Sequence, residues 1–206
     1  MSTKRYGGTY MSLEELCCSR DGGELDESFS LYVIGGGRLF LLLKFSNWFS
    51  HSSIEVFNTS TREWTFLPPM MSTERDGCAA VGMGGNIYVI GGIDESNSAL
   101  SSIEVFNTTT REWTFLPPMS IGRFGCAAVG MGGNLYAVGG SDGSNDAYSS
   151  VEVFNTSTRE WTVLPPMSTE RYGCAAVGMG GNLYVIGGGS SWFSHSSIAM
   201  YTTRRP

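Results

Sequence analysis

Apolar residues along this chain come in short runs, such as "CAAVGM" (174–179), "LYVIG" (183–187), "SVEVFN" (150–155) and "EWTVL" (160–164). Gly, Pro and small polar residues separate them. No eleven-residue window in these units carries the 3.6-residue period of an amphipathic helix, and Val, Ile and aromatic residues dominate, so the pattern predicts β-strands throughout. Between the first two runs, "GGN" at 180–182 supplies the positive φ angles of a tight hairpin turn. The polar "TST" turns the third run into the fourth, and Pro165-Pro166 ends the fourth because proline cannot donate to a sheet ladder.

The same pattern recurs. "SSIEVFNTSTREWTFLPP" at 52–69 and "SSIEVFNTTTREWTFLPP" at 101–118 repeat the unit almost letter for letter. Trp64, Trp113 and Trp161 lie 49 and 48 residues apart, and the pairs Gly91-Gly92, Gly139-Gly140 and Gly187-Gly188 lie 48 and 48 apart. A period of that length fits four short strands with their turns, each unit burying its apolar surface against its neighbours. We label the strands of a unit a, b, c and d in chain order. Strand a is small and apolar while strand d carries a tryptophan, so the strands taper as in a β-propeller blade, with a at the crowded centre and d at the rim.

The glycine pair after "LYVI", the aromatic of "EVFN" and the tryptophan of "REW" resemble kelch repeats. The resemblance implies an all-β, kelch-type β-propeller that serves as an interaction platform. Here it would have about four four-stranded antiparallel blades, the last lacking its outer strand. One propeller domain spans 1–206, divided into an irregular first repeat with insertions (1–70), a second (71–119), a third (120–167) and an incomplete fourth (168–206). "MSTKRYG" at the start matches "MSTERYG" at 167–173, and "SSIAMYTTRRP" at 196–206 matches the repeat only through strand c. A fragment of a larger propeller is the alternative to a closed ring. An unpaired strand c at the end is expected to favour self-association. The first unit also holds "RLFLLLKF" at 38–45, read as an insertion without a selected role in preference to a docking ridge.

Charge narrows the partners. The formal net charge is −6, with Lys and Arg scattered singly, which disfavours nucleic acid. No apolar run is long enough to span a bilayer, so no membrane association is expected. The N-terminus lacks the apolar core of a signal peptide, so cytoplasmic residence is expected and Asn58, Asn107 and Asn155 read as turn residues, not glycosylation sites. Cys78, Cys126 and Cys174 share one repeat position and read as small core residues. These 206 residues contain no BTB or F-box segment ahead of the repeats, and a ubiquitin-ligase adaptor role is expected to need another chain or exon.

Little in the sequence points to catalysis. Copper oxidases of the galactose-oxidase kind, which resemble kelch propellers, need two histidines, two tyrosines and a cross-linked cysteine. His51 and His195 stand instead at one equivalent position of the duplicated "WFSHSSI". No metal or other cofactor is expected. Binding is better supported, since d–a and b–c loops emerge together on one face of such a fold and the copies diverge there. The candidate ligand face comprises Arg5, Tyr6, Arg75, Asp76, Arg123, Phe124, Arg171 and Tyr172 from d–a loops, with Asp94, Glu95, Asp142, Asp146, Trp192 and His195 from b–c loops. As in similar kelch adaptors, Arg5, Arg75, Arg123 and Arg171 would form a cationic ring for acidic peptides; equally, each would pair with Glu74, Glu170 or its own loop. Arg62, Arg111 and Arg159 belong to the opposite c–d turns and are expected to be solvated. The resulting expectation is a non-enzymatic domain that binds a protein or peptide. The alternatives are a small-molecule enzyme of the sugar-epimerase or specifier-protein type and a gene fragment without autonomous function.

Overall fold

The computed structural model describes residues 30–34, 54–67, 73–143, 146–190, 193–194 and 198–202, with only the backbone described at 30–34 and 193–194. The match at Met1–Gly7, the "LFLLL" run, Arg5, Tyr6, His51, Trp192 and His195 lie outside the described residues or side chains. Among the described residues all regular structure is antiparallel sheet. The first sheet pairs β1 (Ser30–Ile34), β2 (Ile54–Asn58) and β3 (Glu63–Leu67). The second orders β4 (Ala79–Met83), β5 (Asn86–Ile90), β6 (Ile103–Asn107) and β7 (Glu112–Leu116) as strands a to d. The third does the same with β8 (Ala127–Met131), β9 (Asn134–Val138), β10 (Val151–Asn155) and β11 (Glu160–Leu164).

The last unit holds β12 (Ala175–Met179) and β13 (Asn182–Ile186), then a small ribbon of β14 (Gly189–Ser190) and β15 (Phe193–Ser194), then β16 (Ile198–Thr202). Its sheet is β12-β13-β16, so it lacks a fourth strand among the described residues, as the repeat alignment anticipates. Strand d falls at Glu160–Leu164 as read from sequence, while strands a, b and c shift by one residue at their ends.

Each a–b hairpin turns on two glycines. Gly180 and Gly181 take φ of 61° and 78°, which lets Met179 pair with Asn182 across a two-residue turn whose twist matches the strands. The c–d turns use a different device. Asn107 Oδ1 accepts the N–H groups of Thr109 and Thr110, both at 2.9 Å, and the Arg111 N–H reaches the Asn107 carbonyl at 2.8 Å. Asn58 and Asn155 make the same bonds, so the three asparagines are turn formers. Closing this loop forces Arg62, Arg111 and Arg159 to φ of 59°, 60° and 61°, a left-handed conformation in which a Cβ is strained. Their side chains are exposed and add no compensating core contact. Arg111→Gly should therefore raise the denaturation midpoint, on the order of 0.5–1 kcal/mol, while Arg111→Ala stays within about 0.5 kcal/mol. Equal midpoints for the two variants would show that no strain resides there.

The sheets converge on their a strands. A Cβ on Gly130 would meet Met83 of the preceding sheet, and one on Gly178 would meet Met131, so glycine lets neighbouring a strands pack closely. Toward the rim Trp113 and Trp161 lie between sheets. Trp113 is 7% exposed, in a cluster with Phe106 of its own sheet and Ile54, Val56 and Leu67 of the sheet before. Trp161 packs likewise and donates its indole N–H to the Pro117 carbonyl at 2.8 Å. Trp113 thus packs on Phe106 of its own sheet and fills the seam with the preceding one.

Candidate binding face

The d–a and b–c connections are tied together at one end of each sheet. The residue after each loop arginine pairs through its backbone with the b–c loop of the same unit: Asp76 with Ile93, Phe124 with Ser141, and Tyr172 with Gly189, all at 2.8–3.0 Å. The d–a and b–c loops that carry the described candidate residues therefore meet at the same end of each sheet. A recess between the second and third sheets, lined by Asn86, Thr110, Glu112, Thr156 and Arg159, opens instead at the c–d turns.

Of the two readings left open for Arg75, Arg123 and Arg171, an exposed cationic ring or pairing with Glu74, Glu170 or their own loops, the first is corrected: they are buried at 0%, 0% and 1% exposure. All five donors of Arg123 are used. Nε and Nη2 reach Glu152 Oε1 at 3.2 and 2.9 Å, Nη1 reaches the carbonyls of Gly139 and Ser150 at 2.8 and 3.2 Å, and Nη2 also reaches Ser150 Oγ at 2.8 Å. Arg75 repeats every bond one unit earlier with Glu104, Gly91 and Ser102. The physical reason for the correction is burial: a guanidinium inside a sheet stack must fill its donors and balance its charge. Neither Glu74 nor Glu170 does so. Both are exposed, and the partners are the buried Glu104 and Glu152 of strand c, whose importance sequence reasoning missed. Arg171 donates to the Gly187 carbonyl, and strand c of its unit carries Ala199 where the others carry glutamate.

The arginine main chain joins successive units. Arg123 N–H donates to the Leu100 carbonyl at 3.1 Å, and its own carbonyl accepts from Gly92 at 2.8 Å; Arg171 makes the matching pair with Tyr148 and Gly140. A Cβ on Gly91 or Gly139 would overlap those arginine carbonyls, which explains the glycine before each Gly92-type position.

With the cations withdrawn, the face is aromatic and acidic. Phe124 and Tyr172 meet edge to face at 5.0 Å, Phe124 against the bare surface of Gly77 and Tyr172 against that of Gly125. Glu95, Asp142 and Asp146 are exposed. Asp94 shapes its own loop: Oδ1 accepts from Ser96 Oγ at 2.7 Å, Ser96 N at 2.9 Å and Ser98 N at 3.0 Å. The Ser96 hydroxyl first, then the Ser98 amide, hold its carboxyl below the usual range. Tyr148, whose ring centre lies 5.3 Å from the Arg123 guanidinium carbon, has its pKa raised by burial and then by the Asp142 charge.

The equivalent cysteines sit beneath this end. Burial pushes Cys78 up to about 11 and Cys126 up to about 12, and raises Cys174, so the thiols stay protonated and act as small core groups.

Comparison with known proteins agrees with the repeat architecture. The family described as "KLHDC2/KLHL20/DRC7 Kelch-repeats domain" matches residues 25–205. An F-box/kelch-repeat protein of Arabidopsis thaliana is 49% identical over 49 residues, which is 24% of this chain and 11% of that protein. The chain thus aligns with only a small part of that relative's length.

Proposed function

The chain belongs to the kelch-repeat family, whose domains serve as protein-interaction propellers, and from that premise we propose that its d–a/b–c face binds a protein or peptide bearing a basic segment. One observation carries the reading. Every described arginine at this end is buried, which leaves Glu95, Asp142 and Asp146 exposed in the b–c loops of the end that carries Phe124 and Tyr172. Such a surface favours Lys or Arg side chains, which pair with carboxylates and lie over aromatic rings, and it repels the acidic peptides that an exposed arginine ring would attract. The role read for this face is recognition: Asp94 is engaged in its own loop, and Glu95, Asp142 and Asp146 are exposed.

The test uses two synthetic peptides of equal length and aromatic content, one Lys/Arg-rich and one Asp/Glu-rich, with binding followed by fluorescence anisotropy. The basic peptide should bind, weaken with added salt, and lose about tenfold or more in affinity in a Tyr172→Ala, Glu95→Gln, Asp146→Asn variant. Preference for the acidic peptide, or a variant that binds as the natural chain does, overturns the proposal.

A further inference from the structure

On each strand c, alternate residues divide between a trailing face, which meets the next sheet, and a leading face, which meets the one before. Glu104 and Glu152 belong to the leading face, with Phe106 and Phe154. Pairing with strand b fixes their positions, Glu104 across from Val89 and Glu152 across from Ala137. The last unit keeps that register, with Ala199 across from Val185. A methyl group therefore stands where the other two units bring a carboxylate.

The groups that hold the carboxylate are nevertheless repeated. In the third unit Glu152 accepts the Ser120 N–H on Oε2 at 2.8 Å and the Arg123 guanidinium on Oε1. Ser168 and Arg171 occupy the same two places one repeat later. Arg171 bonds through Nη1 to the Gly187 carbonyl as Arg123 does to Gly139, and it is as deeply buried, at 1% exposure. Its Nε, the counterpart of an Arg123 atom that donates to Glu152, has no acceptor, and the Thr169 hydroxyl is likewise buried with no hydrogen-bond partner. Among the described residues these are the two buried side-chain polar atoms in that condition, and both belong to the unit whose glutamate is replaced. Such groups cost stability until an acceptor takes their hydrogens.

We infer that the last unit binds a small carboxylate beside Ala199, held by Arg171, Thr169 and the Ser168 N–H. Its size follows from the substitution, since alanine lacks the CH2–COO end of glutamate, which has the outline of acetate. Its charge and planar shape follow from the neighbouring units, which meet the same arginine and amide with a two-oxygen anion. Approach is open: Ser168 is exposed, and Thr169 and Ala199 are half-buried. The site calls for the opposite charge to the ligand proposed for the acidic face, so neither reading depends on the other.

Thermal melts of the full chain in sodium acetate and in sodium chloride, at equal ionic strength, test this. Acetate should raise the melting temperature of the natural chain along a saturating curve. Ala199→Glu restores a carboxylate within the chain; in chloride it should melt about 2–4 °C above the natural protein, and it should lose the acetate response. Ala199→Gln fills the same space without charge and should also lose that response, which keeps the test open if the glutamate variant fails to fold. A blocked Gly-Glu-Gly peptide, compared with Gly-Gln-Gly, separates the sources. Stabilisation by the glutamate peptide as well as by acetate supports capture of an acidic side chain, and stabilisation by acetate alone supports a free small acid. Identical melting of the natural chain in acetate and chloride would overturn the inference. So would an acetate response of equal size in the natural chain and the variants, which would mark a bulk solvent effect.

Discussion

Arg123→Ala should lower the stability of the domain by about 3–5 kcal/mol, seen as a large drop in the denaturant midpoint, because it leaves the fully buried Glu152 without its counter-charge. Glu152→Gln should be costly for the reciprocal reason, and also weakens the acceptor that holds the Ser120 N–H at 2.8 Å. Lysine is not a rescue. It has three donors at one point, and the site asks for donors toward Glu152, the Gly139 and Ser150 carbonyls, and Ser150 Oγ at once. An Arg123→Met, Glu152→Leu double variant removes both charges, yet the two carbonyls and the Ser120 amide lose their partners. It should remain well below the natural chain. A double variant as stable as the natural protein would mean that the ion pair alone matters and the carbonyl bonds contribute nothing.

The second large effect is Trp113→Ala, expected to cost about 3–5 kcal/mol because the ring fills a closed seam between two sheets. Its neighbour two residues back, Arg111, should tolerate alanine within about 0.5 kcal/mol. A finer comparison uses the repeat itself. Trp64→Ala makes the same chemical change where the side chain is half exposed, and should cost far less in a dilute, monomeric sample. If Trp64→Ala and Trp113→Ala shift the midpoint equally, the tryptophan acts through its own sheet, as in Phe106–Trp113 contact at 5.1 Å, and not through the seam.

Strand order, the glycine hairpins and the asparagine turns were legible because each is written in local residue types: Gly-Gly where φ must be positive, Asn where two amides need an acceptor, alternating Val and aromatic residues where a strand lies between two layers. The buried arginines were not legible in that way. A guanidinium next to a loop looks like a surface charge, and the glutamates nearest in sequence, Glu74 and Glu170, are decoys that remain in solvent. A signal did exist at longer range. Glu104 shares its strand face with Phe106, and Glu152 with Phe154; a carboxylate on a face otherwise given to a buried aromatic requires a cation, and each stands 29 residues after an arginine. Reading that pattern would have withdrawn the cationic ring and exposed the acidic surface left behind.

Each loop arginine holds its side chain within its own unit and offers its backbone to the unit before. During synthesis this gives the chain a direction. Once a unit has left the ribosome, its Gly92-type amide and trailing face stand ready, and everything the next one needs for docking is already folded on the side from which it arrives. Because the internal clasp spans only 29 residues, a newly emerged unit can close on itself before the one behind it appears. Growth from the N-terminal side is then templated at every step, and a ribosome stalled between units leaves behind a shorter stack whose remaining seams are already sealed.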